Sequence, residues 1–267
     1  MEITIFSLCW NEEVILPYYF KHYKTIFPNA KFVIYDNMST DNSREIIKKN
    51  GGVIFDFESN NQSREDLQMS VRNNCWKSAS TDWVIVCDID EFLEIESAYL
   101  SITKDTIIKA EGYEMVDDTY DLDKLKLGTR NNYLDKCILF NKKYVKEINY
   151  SNGCHDCEPI GIVNYNKKRV VLKHIKYFKL EYVIMRFETL AKRLSVENLE
   201  NSWSLHYLQS KNELVNSYTF LANNKRTVPL SKYYNLIERY FSKHKKISFF
   251  NSVLKKLVFL PKGVRRK

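Results

Sequence analysis

Long apolar runs are missing from this chain. No uncharged stretch reaches the roughly 18 residues that would suggest a membrane span, and the first apolar run ends by Leu8. Glu2 follows Met1 directly, so the amino terminus does not read as a signal peptide. Cysteine is sparse: six residues, at 9, 75, 87, 137, 154 and 157, do not describe the disulfide framework of a small secreted domain. Internal repeats and low-complexity linkers are absent too. These absences favour a reducing, cytoplasmic compartment and a soluble chain, or one peripheral at the inner face of a membrane. Its 267 residues exceed one average domain but suit a single α/β unit with an appendage.

What is present alternates. Ile3 to Leu8 is a short apolar run, and Val14, Leu16, Tyr19, Phe20, Tyr23 and Ile26 recur at helical spacing. Lys31 to Asp36 is a second run, opening into Asn37-Met38-Ser39-Thr40-Asp41-Asn42-Ser43, dense in turn and capping residues. Arg44 to Lys49 reads as a helix stopped at Asn50-Gly51-Gly52. Val53 to Phe57 is a third strand, Arg64 to Ser78 a helix, and Asp82 to Cys87 a fourth strand. Four strand-helix alternations predict an α/β fold with a mostly parallel sheet flanked by helices, whose ligands gather at the carboxyl ends of the strands.

The fourth strand ends in Asp88-Ile89-Asp90-Glu91-Phe92-Leu93. Alternating carboxylates at the end of a buried strand suit a hard cation. Mg²⁺ and Mn²⁺ prefer oxygen ligands, and Mg²⁺ takes one or two carboxylates and completes its shell with water and substrate phosphates. A metal-assisted site for a phosphate-bearing substrate is the direct reading; a solvated acidic turn is the bland one.

Five blocks in order carry a resemblance. They are Cys9-Trp10-Asn11-Glu12-Glu13; Tyr35-Asp36-Asn37-Met38-Ser39-Thr40-Asp41; Asp88 to Leu93; Lys146-Glu147-Ile148-Asn149-Tyr150 with Gly153-Cys154-His155; and His174-Ile175-Lys176-Tyr177 with Arg193 to Asn198. Over about residues 1–210 the chain resembles nucleotide-sugar glycosyltransferases of the GT-A fold, in the family 2-like branch with an Asp-x-Asp-Glu-Phe-Leu motif. Met38 departs from the small or polar residue often seen in that loop. The resemblance implies transfer of a sugar from a nucleoside-diphosphate donor, a UDP-sugar, to a glycan or lipid-linked glycan, with inversion and with Mn²⁺ or Mg²⁺ as cofactor.

It also implies roles. Asp90 would hold the metal directly, and Asp88 would bind it through water or hold the donor ribose. His174 matches a late metal-binding histidine. Glu91 is either an acid behind the ligands or a charge opening the next turn. Asp36 would accept hydrogen bonds from uracil or ribose, with Ser39 and Asp41 shaping the loop, although Ser39 or Asp41 can equally cap the helix near Ser43. Asn11 and Glu12 would line the same pocket or cap the next helix. Arg72 is a diphosphate contact or a solvated helix charge. An inverting transferase needs a base within hydrogen-bond reach of the acceptor hydroxyl, and Asp156, Glu158 and His155 are the candidates. Cys154-x-x-Cys157 suggests a redox pair or half a zinc site. Neither is favoured: zinc needs about four ligands while the other cysteines stand singly, and Pro159 and Gly161 suggest a loop.

Residues 1–178 are expected to form the catalytic domain and 179–241 a helical extension. There Leu180, Val183, Ile184, Phe187, Leu190, Ala191, Leu194 and Leu199 predict one long amphipathic helix, Ser202 to Leu221 a second and Tyr233 to Phe241 a third. The last 242–267 pair an apolar face (Phe249, Phe250, Val253, Leu254, Leu257) with clustered Lys and Arg. Such a tail suits an anionic membrane surface, or a docked helix with a frayed end. It localises much of the net charge of +8.

Two other classes fit less well. A nucleic-acid binder rests on phosphate neutralisation, which acids at the strand ends oppose, so no nucleic-acid partner is expected. A Mg²⁺-dependent Asp-nucleophile phosphatase also carries Asp-x-Asp, but Phe92 stands where Thr or Val is required, and the Asp36–Asp41 loop has no task in it.

Overall fold

The structure is a computed structural model that describes residues 1–232 and Ile237. The expected helix at 233–241, apart from Ile237, and the basic tail at 242–267 lie outside the described residues. The chain runs β1 (Ile3–Cys9), α1 (Leu16–Ile26), β2 (Lys31–Asp36), α2 (Ser43–Lys49), β3 (Val53–Asp56), α3 (Glu65–Asn74) and β4 (Trp83–Asp88). It continues with β5 (Glu91–Glu94), α4 (Ser97–Leu100), β6 (Ile107–Val116), β7 (Leu127–Arg130), β8 (Lys136–Asn141), β9 (Val145–Glu147), β10 (Ile160–Gly161) and β11 (Val171–Tyr177). Last come α5 (Leu180–Ala191), α6 (Val196–Glu200), α7 (Lys211–Asn224) and β12 (Arg226–Thr227).

The four alternations read from the sequence become four parallel strands in the order β3-β2-β1-β4. From β4 outward the sheet turns antiparallel through β8, β6 and β7 to β12. The result is a mixed α/β sheet of ten strands flanked by helices, the fold class the sequence implied.

Period-two packing puts this sheet between two layers. Ile3, Ile5 and Cys9 of β1 and Trp83, Ile85 and Cys87 of β4 face one core with α1, while Phe6, Val84 and Val86 face the other with Trp76, Phe140 and Tyr150. Both strands are apolar on both faces because both are covered. In α1 the buried residues Leu16, Tyr19, Phe20 and Tyr23 form one stripe, with Tyr19 and Phe20 meeting Phe32 edge-on. Side chains as fully buried as Ile5 and Ile85 contribute about 1.5–3 kcal/mol each.

The helical part departs from expectation. The long helix inferred across Leu180 to Leu199 is broken: α5 stops at Ala191, and Ser195 caps α6 by accepting the Asn198 N–H at 3.1 Å. The break is held from outside, where Ser63 N–H donates to Arg193 O at 2.6 Å and Ser195 N–H to Ser63 O at 3.4 Å. The second helix begins at Lys211 rather than Ser202, with a capping box between Ser210 and Glu213. Between the helices, Ser202 and Ser204 adopt φ of 58°, in the left-handed region. Among the described residues no helix is long and apolar enough to cross a membrane.

Candidate active site

Parallel register brings the acids together. Leu8 pairs with Asp88 and Cys9 with Asp36, so the two aspartates stand at the carboxyl ends of β4 and β2, the strands on either side of β1, where α/β sheets bind ligands. A cleft of about 440 Å³ opens there. Glu12, Arg72, Asp88, Asp90, His155 and His174 all line it, six of the residues singled out in the sequence.

The centre is set by β11, which runs between β5 and β6. His174 pairs with Glu91 on one side and with Glu114 on the other. Its Nδ1 lies 2.7 Å from Glu114 Oε1, and its Nε2 lies 3.1 Å from Asp90 Oδ2. Burial works against a charged imidazole, but Glu114 and Asp90 outweigh it and raise the His174 pKa well above its ordinary value. Asp90 is pulled the other way: burial would raise its pKa, and His174 lowers it.

Asp88 is engaged differently. Arg72 Nη2 donates to its Oδ1 at 2.7 Å, and Lys136 Nζ lies 3.4 Å from Oδ2. Burial opposes its ionisation, but these two cations hold its pKa well below the carboxylate range. Glu91 is almost wholly buried. Its oxygens accept from Lys136 Nζ at 2.7 and 3.0 Å, and Oε2 also accepts the Asp88 N–H at 2.9 Å. Burial raises the Glu91 pKa and the Lys136 ammonium opposes that rise. Thus Glu91 is a buried acid in the cleft lining that closes the turn from Asp88, and Arg72 is the buried residue of its helix, not a solvated charge.

A basic wall faces these acids. Arg186 donates to the Trp10 and Asn11 carbonyls at 2.9 Å each and pairs with Glu12. Burial raises the Glu12 pKa to about 7 even though Arg186 opposes it. The break after α5 delivers Arg193, whose guanidinium sits 3.5 Å from the Trp10 ring centroid and donates to the Asn61 carbonyl at 3.0 Å. Lys176 Nζ stands over the Phe187 and Tyr207 rings at 4.6 and 4.9 Å.

Other candidates lie outside the cleft. The Asp36 carboxylate is fully buried and accepts from Ser39 N at 3.0 Å, Ser39 Oγ at 2.5 Å and Arg44 Nη1 at 2.6 Å. Asn11 has φ of 51°, and its Oδ1 accepts the Thr40 N–H at 2.7 Å while Ser39 Oγ accepts its own N–H at 2.9 Å. Asp41 accepts the Ser43 N–H at 2.9 Å through Oδ1 and the Glu13 N–H at 3.1 Å through Oδ2, so this loop is knitted to the one after β1. Asp156 and Glu158 are exposed and do not line the cleft. Of the three base candidates only His155 does; burial, followed by Lys136, lowers its pKa to about 4 and leaves it neutral.

Among the described residues no group of three or more His, Cys, Asp or Glu side chains is arranged to hold a metal ion. What the structure places together is Asp90 and His174 Nε2, with Glu114 holding the other ring nitrogen, the arrangement that a carboxylate–histidine–metal site would use. Such a pair fits a Mg²⁺-type ion that draws its other ligands from phosphate and water. Sequence reading passed over Glu114, Lys136 and Arg186.

No protein-family model matches the chain, and a comparison with curated proteins found no match. Solved structures do resemble it. Staphylococcus aureus TarS aligns with 13% identity and a TM-score of 0.43, over 82% of this chain and 43% of that one. A TarS 1-349 structure in complex with UDP gives 14%, 0.42, and 82% and 71% of the two chains. Glucosyl-3-phosphoglycerate synthase from Mycobacterium tuberculosis, with Mn²⁺, UDP and glucosyl-3-phosphoglycerate, gives 14%, 0.30, and 42% and 44%. The chain therefore spans less than half the length of full TarS.

Proposed function

We propose that the protein is a GT-A type glycosyltransferase that moves a sugar from a nucleoside-diphosphate donor, a UDP-sugar, to a glycan or lipid-linked glycan, with inversion. The observation that carries this reading is the Asp90–His174–Glu114 line at the carboxyl end of the parallel strands, in a cleft that also holds Arg72, Lys176, Arg186 and Arg193. A carboxylate beside an imidazole suits a divalent cation, and several fixed cations suit the two phosphates of the donor. An Asp-nucleophile phosphatase would need Asp88 free to attack, and Arg72 and Lys136 already engage both of its oxygens.

On this reading Asp90 and His174 would hold Mn²⁺ or Mg²⁺, and Asp88 stays with Arg72 and Lys136. The bound ion would supply Lewis-acid stabilisation of the charge that grows on the departing diphosphate. Arg72 and Arg186 orient the diphosphate, their own positions fixed by Asp88 and Glu12. Neutral His155, the one of the three base candidates on the cleft wall, would accept the proton of an acceptor hydroxyl. Residues 1–178 would carry this site with α5 and the turn after it closing one side.

A thermal-shift panel of nucleoside diphosphates, each with and without Mn²⁺, tests the proposal. Selective stabilisation by UDP that requires Mn²⁺ and disappears in Asp90→Ala is the expected result. Equal stabilisation of wild type and Asp90→Ala would sink it.

A further inference from the structure

A second cavity lies beside the cleft. It is a groove of about 450 Å³ where α7 passes β6 and β11, and Glu114, Asn131, Tyr177, Asn216, Ser217 and Phe220 line it. Two features connect it to the cleft. Glu114 lines the groove and holds His174, which lines the cleft, at 2.7 Å. The turn Asn132–Leu134 borders both, with Asn131 in the groove and Leu134 in the cleft.

The groove is built from anchored pieces. α7 buries Leu214 in a cluster with Val116, Tyr177 and Phe187, and its Tyr218 hydroxyl donates to the Asp117 carbonyl at 2.5 Å. Asn216 and Phe220 stand four residues apart on that helix, so they share a face. On the strand side Asn131 Oδ1 accepts the Tyr133 N–H at 3.1 Å, and the Tyr133 ring beside it is 86% exposed.

Its chemistry differs from that of the cleft. No Lys or Arg lines the groove, although the chain carries a net charge of +8. Nothing there pairs with a phosphate, and Glu114 repels an anion. Two carboxamides and two hydroxyls stand around Phe220, which is 63% exposed. Among the described residues the Asn216 carboxamide and the Ser217 and Tyr177 hydroxyls have no hydrogen-bond partner in the protein. Groups that both donate and accept match sugar hydroxyls, which do the same. A flat exposed ring matches the C–H face of a pyranose, an apolar contact flanked by a few directed polar groups. An amphipathic helix or a lipid tail would call for a continuous apolar lining instead.

We propose that this groove seats the acceptor, a neutral oligosaccharide. An inner sugar stacks on Phe220 and bonds to Asn131, Asn216 and Ser217, and the terminal sugar passes the Leu134 turn into the cleft. This rests on the transferase reading and adds that the acceptor is chosen by α7 and the turn after β7, apart from the side chains that face donor and metal.

The test needs no knowledge of the donor. The full chain, fluorescently labelled, is applied without metal to an array of immobilised neutral and anionic oligosaccharides. Wild type is expected to bind a restricted set of neutral oligosaccharides, and Phe220→Tyr to keep that set. Phe220→Ala should bind it about tenfold more weakly, the loss of a central aromatic contact. Because Phe220 is exposed and lines the groove but not the cleft, Phe220→Ala should keep the wild-type thermal midpoint and the wild-type stabilisation by UDP with Mn²⁺. No binding on the array, equal binding by wild type and Phe220→Ala, or a preference for anionic oligosaccharides would overturn the proposal. A failed UDP and Mn²⁺ response with array binding intact would count against the transferase reading and leave the groove a glycan site.

Discussion

Replacing Lys136 by Met should destabilise the protein in a strongly pH-dependent way. Lys136 is wholly buried and its ammonium is bonded to Glu91, itself 3% exposed. Burial works against the charge on Lys136, but Asp88 and Glu91 outweigh it and raise its pKa. In Lys136→Met, Asp88 keeps Arg72, whereas Glu91 is left as a buried carboxylate with no cation, a change that typically costs about 3–5 kcal/mol. Glu91 escapes part of that by taking up a proton. At pH 7 this means holding a proton about 2.7 pH units above the ordinary Glu pKa of about 4.3, at about 1.4 kcal/mol per unit, which caps the loss near 3.7 kcal/mol. At pH 5 the same cap is about 1 kcal/mol. The sign follows from proton counting: the variant's native state binds the proton that its unfolded state has released, so its stability falls as pH rises. Urea denaturation followed by tryptophan fluorescence at pH 5 and pH 7 measures both losses. Lys136→Met/Glu91→Gln, which keeps an acceptor for the Asp88 N–H and carries no charge, should recover most of the pH 7 loss. A loss below about 1 kcal/mol at pH 7, or equal losses at the two pH values, would refute the reasoning.

Three further outcomes are expected. Gly112→Ala would bring its new Cβ into overlap with the Leu134 side chain and within 2.5 Å of the Leu134 carbonyl, a loss of about 1–3 kcal/mol by overpacking, seen as a lower midpoint in thermal unfolding. Glu114→Ala frees the His174 ring from its anchor at 2.7 Å, and on the proposed reading weakens Mn²⁺ binding about 10–100-fold, measurable by calorimetric titration. His155, with a pKa lowered to about 4 by burial, is neutral in the folded state where the unfolded chain binds a proton; stability should therefore fall as pH drops from about 6.5 toward 4, by no more than about 3.4 kcal/mol and less with solvent screening. His155→Asn should flatten that part of the stability–pH curve.

The parallel half of the sheet was legible because its signals are local. Apolar runs such as Trp83 to Cys87 end in turn-forming or acidic residues, and a β-x-β pattern leaves little choice about which ends gather. The antiparallel half was not, because its partners are distant in sequence: Glu114 and Lys136 matter only once β11 and β8 are in place, and no periodicity in either segment announces that. A charged residue inside an apolar strand was the available signal, in Tyr113-Glu114-Met115 and Lys136-Cys137-Ile138. The broken helix was hidden by its own stripe. Leu194 continues the three-to-four spacing of α5, while the stop comes from Ser63 in another segment and the Ser195 cap. Loop acids are opaque for a different reason. Asp156, Glu158 and His155 share one short segment, and only the fold decides that the imidazole faces the cleft.

The exchange of backbone bonds between Ser63 and the pair Arg193 and Ser195 has a consequence for how the molecule is made. Contacts this far apart along a chain are slow to form, since closing the intervening loop precedes any reward from the contact. A nascent polypeptide that has emerged only as far as β11 has its parallel strands available but lacks Arg193, so the Trp10 ring and the Asn61 carbonyl wait for their partner. Completion of this side of the cleft is therefore a late event in synthesis, governed by the arrival of the segment after α5.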